Sequence, residues 1–230
     1  MRDAPKQLAF DLALAPRYGR EDFLVSPSNE PAYTLIERWP DWPDKVLLLL
    51  GPRGSGKSHL GAIWADTAHA WTVDAFEITA DKVPYLLSNG TLLIEDADGA
   101  DRDEAALFHL MNLARERGAS VLITASAQPD QWGLRTPDLL SRLRLAPSVS
   151  LEPPDDPLLK AVLVKLFVDR QLVVDTSVVD YIALRIERSL ARASEIVMEL
   201  DREALSRGRR ITRTMAASLL GAKNETDETE

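Results

Sequence analysis

The chain has 230 residues, 45% hydrophobic and 27% charged, which are globular proportions with room for one good core and a smaller second unit. A net charge of −9 offers no global basic field to duplex nucleic acid, and the absence of cysteine excludes disulfides and thiolate metal sites. Histidines at 59, 69 and 109 alone make a zinc site unexpected. The longest apolar run, Val46 to Leu50, is too short for a bilayer, and Asp3 with no long apolar stretch after it argues against a secretory signal. A cytoplasmic protein with no membrane partner is the expectation.

The first feature in chain order is "QLAFDL", residues 7 to 12, where Leu8, Phe10 and Leu12 alternate with Ala9 and Asp11 between Pro5 and Pro16. Two readings stay open at this level. The segment is either a strand of the protein's own sheet or a loose peptide carried for another protein's pocket.

"VLLLLGPRGSGKSHL", residues 46 to 60, matches the Walker A pattern through Gly51, Gly56, Lys57 and Ser58. The apolar run before it predicts a buried parallel strand. "KSHLGAIWADTA" after it predicts a helix with Leu60, Ile63 and Trp64 on one stripe. A glycine-rich turn between the two aims backbone N–H groups at a phosphate on a helix N-terminus. Lys57 is placed to reach the β- and γ-phosphates and the Ser58 hydroxyl to bind Mg²⁺. Gly54 and His59 are counted with Gly51, Gly56, Lys57 and Ser58 among the nucleotide contacts, for ADP or ATP.

"WTVDA" (71–75) predicts a strand, and "GTLLIEDADG" a second one ending in Glu95, Asp96 and Asp98. In a P-loop fold a carboxylate at such a strand end holds Mg²⁺ and the next orients the attacking water. Glu95 takes the metal position and Asp96 the catalytic one. The common order has Asp first, and reversing the lengths displaces each carboxylate by about one methylene, so binding is expected to be more robust than turnover.

Residues 100–118 predict a helix with Ala105, Phe108, Met111 and Asn112 near one face and Gly118 as C-cap. A strand at 120–126 ends in Thr124 and Ser126. A helix at 136–146 has Thr136 as cap and Pro137 at its first position. "PSVSLEPPDD" predicts a short last strand and a break at Pro153, Pro154 and Pro157. Helices at 156–172, 175–187, 189–208 and 212–221 follow. The polar, acidic tail "AKNETDETE" is expected to be disordered.

Together "GPRGSGKSHL", "LLIEDAD", "VLITAS", "DLLSRLRLAPSVSLEPPDD" and "ARASEIVMELDREALSRGRRIT" resemble the AAA+ module of the bacterial replication initiator DnaA, in particular its short Hda-type homologues, which inactivate DnaA. The resemblance runs roughly from Tyr18 to Leu220. "SRL" followed by "EPP" before a helical lid is its more specific part. It implies an α/β fold of the AAA+ P-loop type with a parallel five-stranded sheet. The implied divisions are a clamp-binding peptide over 1–17, a nucleotide-binding domain over 18–153, an all-α lid over 154–222 and a disordered tail over 223–230.

The resemblance also implies roles. Arg142 in "LLSRL" matches the arginine finger that reaches a nucleotide on a neighbouring subunit, a task suited to a permanent charge with a planar donor fork. Arg188 in "IERSL" matches the sensor-2 arginine of the lid, with Arg192 in reserve, and Ser126 sits at the sensor-1 position. "QLAFDL" looks like the family's sliding-clamp peptide, with Gln7 and Leu8 opening it and Phe10 and Leu12 as anchors. Initiators carry a C-terminal helix-turn-helix domain and an extra helix near residues 78–90; the first is expected to be absent here and the second missing or cut down, so no direct sequence-specific DNA binding is expected. The implied partners are DnaA, the polymerase III sliding clamp and a second copy in a homodimer. The alternative is an ATPase acting by its own turnover, such as a helicase loader. A small-molecule P-loop kinase is a distant third, because neither the lid nor "SRL…EPP" belongs to it.

Overall fold

Five short runs rich in Val, Leu and Ile pair side by side in a computed structural model that describes residues 18–227. They are β1 (Val46–Leu50), β2 (Trp71–Asp74), β3 (Thr91–Glu95), β4 (Ser120–Ala125) and β5 (Ser148–Ser150). Their spatial order is β2-β3-β4-β1-β5, and every pairing is parallel. Gln7, Leu8, Phe10 and Leu12 lie outside the described residues.

Strand periodicity divides β1 between two cores. Val46, Leu48 and Leu50 join Ile94 and Ile123 on one face, with α4 (Glu104–Arg117) and α5 (Pro137–Leu145). Leu47 and Leu49 join Leu93 and Leu122 on the other, with α1 (Glu30–Glu37) and α2 (Lys57–Ala68). A sheet covered on both faces explains why β1 is apolar at every position. Parallel strands send all their C-terminal ends to one edge, so the residues after β1, β2, β3 and β4 gather there.

Among the described residues, those from 18 to 153 form one compact unit and those from Pro154 onward another. The second unit is helical: α6 (Asp156–Asp169), α7 (Thr176–Ala183), α8 (Leu190–Arg207) and α9 (Arg213–Asp227). They bury Leu159, Leu163, Phe167, Val179, Ile182 and Val197 among their neighbours. Each of the first three starts on a capping side chain. Asp155 accepts from the Leu158 amide, Asp175 from that of Ser177 and Ser189 from that of Arg192.

Several elements differ from expectation. The buried stripe of α4 is Ala106, Leu107, Leu110, Met111 and Ala114, while Ala105 is exposed and Phe108 and Asn112 are half-buried. Thr136 stands at the α5 cap position, but its side chain makes no capping bond. Its backbone amide, with that of Arg135, is held by the Glu104 carboxylate instead. α9 runs to Asp227 and buries Ala216 and Leu220. α1 was not foreseen. Between β2 and β3 the chain makes a one-turn helix, α3 (Val83–Leu86), whose Val83 and Leu86 enter the core.

Candidate functional site

The loop from Gly51 to Ser58 leaves the end of β1 and enters α2. A methyl group on Gly51 would come within 2.6 Å of the Leu151 carbonyl oxygen and 2.8 Å of Ser55 Oγ, so the tight exit from the strand requires glycine there. Gly56, the residue before α2, has φ 103°, a left-handed conformation, and Gly54 has φ 74°. Ser55 Oγ is buried with no hydrogen-bond partner among the described residues. The loop is thus an open backbone concavity at a helix N-terminus containing an unsatisfied hydroxyl, which suits an anionic oxygen.

Lys57 is only 7% exposed and its Nζ donates to the carbonyls of Gly51 at 2.7 Å and Pro52 at 3.1 Å. Burial pulls its ammonium below the ordinary lysine pKa, against the opposing charges of Asp96, Asp98 and Glu95. Ser58 Oγ donates to Glu95 Oε2 at 2.8 Å. Burial pushes the Glu95 carboxyl above the ordinary glutamate range, with Asp96 and Asp74 adding to the push and the Ser58 hydrogen bond and Lys57 opposing it. Hydroxyl and carboxylate form a hard oxygen pair of the kind Mg²⁺ takes together with phosphate oxygens and water. Among the described residues no group of three carboxylates or histidines could hold a metal without such outside ligands.

Asp96 follows β3 with φ 51°, rare for a residue with a side chain. Fully buried Thr124, on the neighbouring β4, holds that turn. Its Oγ1 accepts from the Asp96 amide at 3.1 Å and its carbonyl from the Ala97 amide at 2.9 Å. The Ser126 amide donates to Asp98 Oδ2 at 2.9 Å. Thr124 is legible in sequence as a polar residue in an apolar run, but its partner lies 28 positions away. Gly61 also escaped notice. A methyl group there would press to 3.3 Å from both Leu93 methyls, so it sets how closely α2 approaches β3.

Other candidates lie elsewhere. His59 donates from Nε2 to the Gly19 carbonyl at 2.9 Å and packs edge-on against Phe23, tying α2 to the segment before α1. Arg142, in the last turn of α5, has no hydrogen-bond or ion-pair partner for its side chain among the described residues, whereas Arg144 is paired with Asp130. In the helical unit, Arg188 pairs with Asp156 at 2.8 Å, both well exposed, and Arg192 with Glu195 at 3.1 Å.

Solved structures share the fold. Domain III of the Thermotoga maritima replication initiation protein DnaA superposes with a TM-score of 0.77 at 21% identity, covering 90% of this chain and 97% of that one. AMPPCP-bound DnaA from Aquifex aeolicus gives 0.69 at 18%, over 84% and 68%. The Thermotoga maritima RuvB Holliday junction branch migration motor gives 0.69 at 15%, over 90% and 72%.

The fold is the AAA+ P-loop fold.

No family model matches the chain. In sequence, the chain is similar to the chromosomal replication initiator protein DnaA of Bacteroides fragilis, 25% identical over 223 residues, or 86% of this chain and 47% of that protein. DnaA of Clavibacter sepedonicus is 28% identical over 192 residues, covering 64% and 40%. The chain spans about half the length of the curated relatives it matches or less. Sequence and fold together relate it to the AAA+ domain of DnaA. Among the described residues no helix is long and apolar enough to cross a membrane.

Proposed function

We propose that the chain is a nucleotide-bound AAA+ regulator of chromosome replication initiation that associates with the sliding clamp and stimulates hydrolysis of DnaA-bound ATP. The observation that carries the reading is the convergence of the Gly51–Ser58 loop, Lys57 and the Ser58–Glu95 pair at one sheet edge, in a chain similar to DnaA over most of its length. ADP or ATP with Mg²⁺ would supply the phosphates and the cation there. Lys57 would exchange two backbone carbonyls for phosphate oxygens, and Ser58 and Glu95 would hold the metal.

Turnover by the chain itself is weak or absent in this reading. Asp96 is the residue left to orient a water, and it is a methylene shorter than the usual glutamate, a displacement that positioning catalysis tolerates poorly. Arg142 acts instead on the ATP of a DnaA partner. Its guanidinium has no ion pair among the described residues to give up, unlike that of Arg144. Arg188, or Arg192 in reserve, reads the chain's own nucleotide, with Ser126 as the polar sensor. Gln7, Leu8, Phe10 and Leu12 dock into the clamp, two copies of the chain engage the ring, and the site of action is cytoplasmic.

The test is hydrolysis of DnaA-bound ATP with DNA-loaded clamp. The native chain should accelerate it, and Arg142→Ala should retain nucleotide and clamp binding while losing the acceleration, ~10³- to 10⁵-fold where such a finger is fully used. Full stimulation by the variant would reject the finger. The other reading, an ATPase working by its own turnover, is favoured by the presence of Lys57, Ser58, Glu95 and Asp96 at one edge. Steady-state ATPase by the chain alone, without DnaA or clamp, would establish it.

A further inference from the structure

The turn between α8 and α9 concentrates positive charge in a chain whose net charge is −9. α8 ends at Arg207, Gly208 turns with φ 58°, and Arg209 and Arg210 follow before Arg213 opens α9. The turn is built rather than loose. The Arg209 amide donates to the Ala204 carbonyl at 3.1 Å, Ile211 is buried, and Thr212 Oγ1 accepts from the Met215 amide at 3.2 Å.

Two more observations give the patch shape. The guanidinium of Arg185, just past the end of α7, lies 3.8 Å from the centroid of the Tyr181 ring, and that of Arg213 lies 5.0 Å from the same centroid. One ring thus holds two arginines in place by cation–π attraction. The N-terminus of α9 adds the positive end of a helix dipole at the same point. Arg207 is engaged by Glu203, but Arg209 and Arg210 are exposed with no side-chain partner among the described residues.

We propose that this patch contacts the phosphate backbone of duplex DNA, without regard to base sequence. Arginine rather than lysine supplies every charge named, and the planar fork of arginine matches phosphate oxygens in pairs. Contacts to phosphate orient a protein on DNA and carry no sequence information. The negative charge elsewhere on the chain repels the same polyanion, so the contact is confined to this end of the helical unit, is weak, and fades steeply with salt. A membrane surface fits less well. Interfacial binding needs an apolar stripe beside the basic one, whereas the Tyr181 ring faces two guanidiniums and the exposed Leu184 and Leu205 are single side chains on separate segments.

The test uses the full chain and fluorescence anisotropy of a labelled duplex of arbitrary sequence, titrated between ~50 and ~200 mM salt. Because Arg209 and Arg210 hold nothing else in place, Arg209→Gln/Arg210→Gln should melt at the native temperature and bind nucleotide as before. It should lose about tenfold in DNA affinity at the low-salt end, with the slope of log K against log salt smaller by ~2. Arg209→Lys/Arg210→Lys should recover the slope. The proposal is overturned if the native chain does not bind DNA at ~50 mM salt, if the Gln variant binds equally well, or if phosphatidylglycerol vesicles capture the native chain where DNA does not.

Discussion

The two units handle charge in opposite ways. In the first, Lys57 is buried, Glu95 is half-buried, and Asp96 and Asp98 stand close enough to shift the Lys57 titration. In the second, charged side chains lie on the solvated face and pair across one helical turn, as in Lys165–Asp169 and Arg207–Glu203, or between helices, as in Lys160–Asp180. Partners gathered away from water interact strongly and cost stability until a ligand satisfies them. Partners in water interact weakly and cost little. The first arrangement is built to hold something; the second keeps its charges on the surface, where Arg209 and Arg210 are exposed.

The sharpest way to break this contrast is Lys57→Met. Methionine replaces the apolar stem and removes the charge. Nucleotide affinity should fall by ~100-fold or more, since two charge-assisted contacts at ~1.5 kcal/mol each are lost. The melting temperature of the nucleotide-free protein should stay level or rise, because a buried ammonium is no longer held against its desolvation cost. Calorimetry with ADP and ATP and a thermal melt decide it. Unchanged affinity would remove the P-loop assignment, and a large drop in melting temperature would show that Lys57 is chiefly structural.

A smaller effect tests the support beneath the carboxylates. Thr124→Val keeps shape and removes the acceptor for the Asp96 amide, leaving a buried N–H unsatisfied at a cost of ~1–2 kcal/mol. Any stimulated or intrinsic hydrolysis that uses Asp96 should fall further than nucleotide affinity does. If melting and activity both match the native protein, the left-handed turn at Asp96 is held by something other than Thr124.

Much of this was legible in sequence because glycines and apolar runs act locally. The run Val46 to Leu50 can only be a doubly covered strand, and Gly118 and Gly208 mark helix ends by taking left-handed conformations. The proximity of Ser58 and Glu95 follows from parallel strands sharing one edge, although what the pair holds remains a proposal. Features that depend on distant partners were not legible. Thr124 finds Asp96 across the sheet, and Glu104 finds the start of α5 in place of Thr136's own hydroxyl. α1 escaped because Pro31 stands in its first turn, Pro40 and Pro43 follow soon after its end, and it buries only Ala32 and Ile36. The face of α4 was misjudged by about one residue because small and large apolar side chains surround that helix, and only the neighbouring sheet chooses among them.

The carboxylate half of the cluster predicts a pH signature. Glu95 titrates above its ordinary value of 4.5 in the folded protein, chiefly through burial, so the folded state keeps a proton that the unfolded chain has released. Stability therefore declines as pH rises from about 4.5 through the raised folded value, and the cost is fully present above it. Glu95→Gln, which still accepts from Ser58, removes that cost. Without Mg²⁺ or nucleotide the variant should melt higher than the native protein at neutral pH, with the difference closing as the pH approaches 4.5. A difference that does not vary with pH would mean that Glu95 is not destabilised by burial.

The smallest stability effect belongs to the other unit. Arg188 and Asp156 meet at 2.8 Å, with side chains 58% and 60% exposed. Water screens such a pair and ordering two side chains offsets much of the attraction, so Arg188→Ala should change stability by no more than ~0.5 kcal/mol. If Arg188 is the sensor of bound nucleotide, the same variant should weaken ADP and ATP binding several-fold, an effect a surface pair alone does not have. Asp156→Ala provides the control. It frees Arg188 without removing it, and should leave affinity level or slightly higher. Should Arg188→Ala leave nucleotide affinity untouched while Arg192→Ala lowers it, the sensor is Arg192, one turn into α8. If neither variant alters affinity, the helical unit takes no part in reading the nucleotide, and its arginines act only on partners in solution.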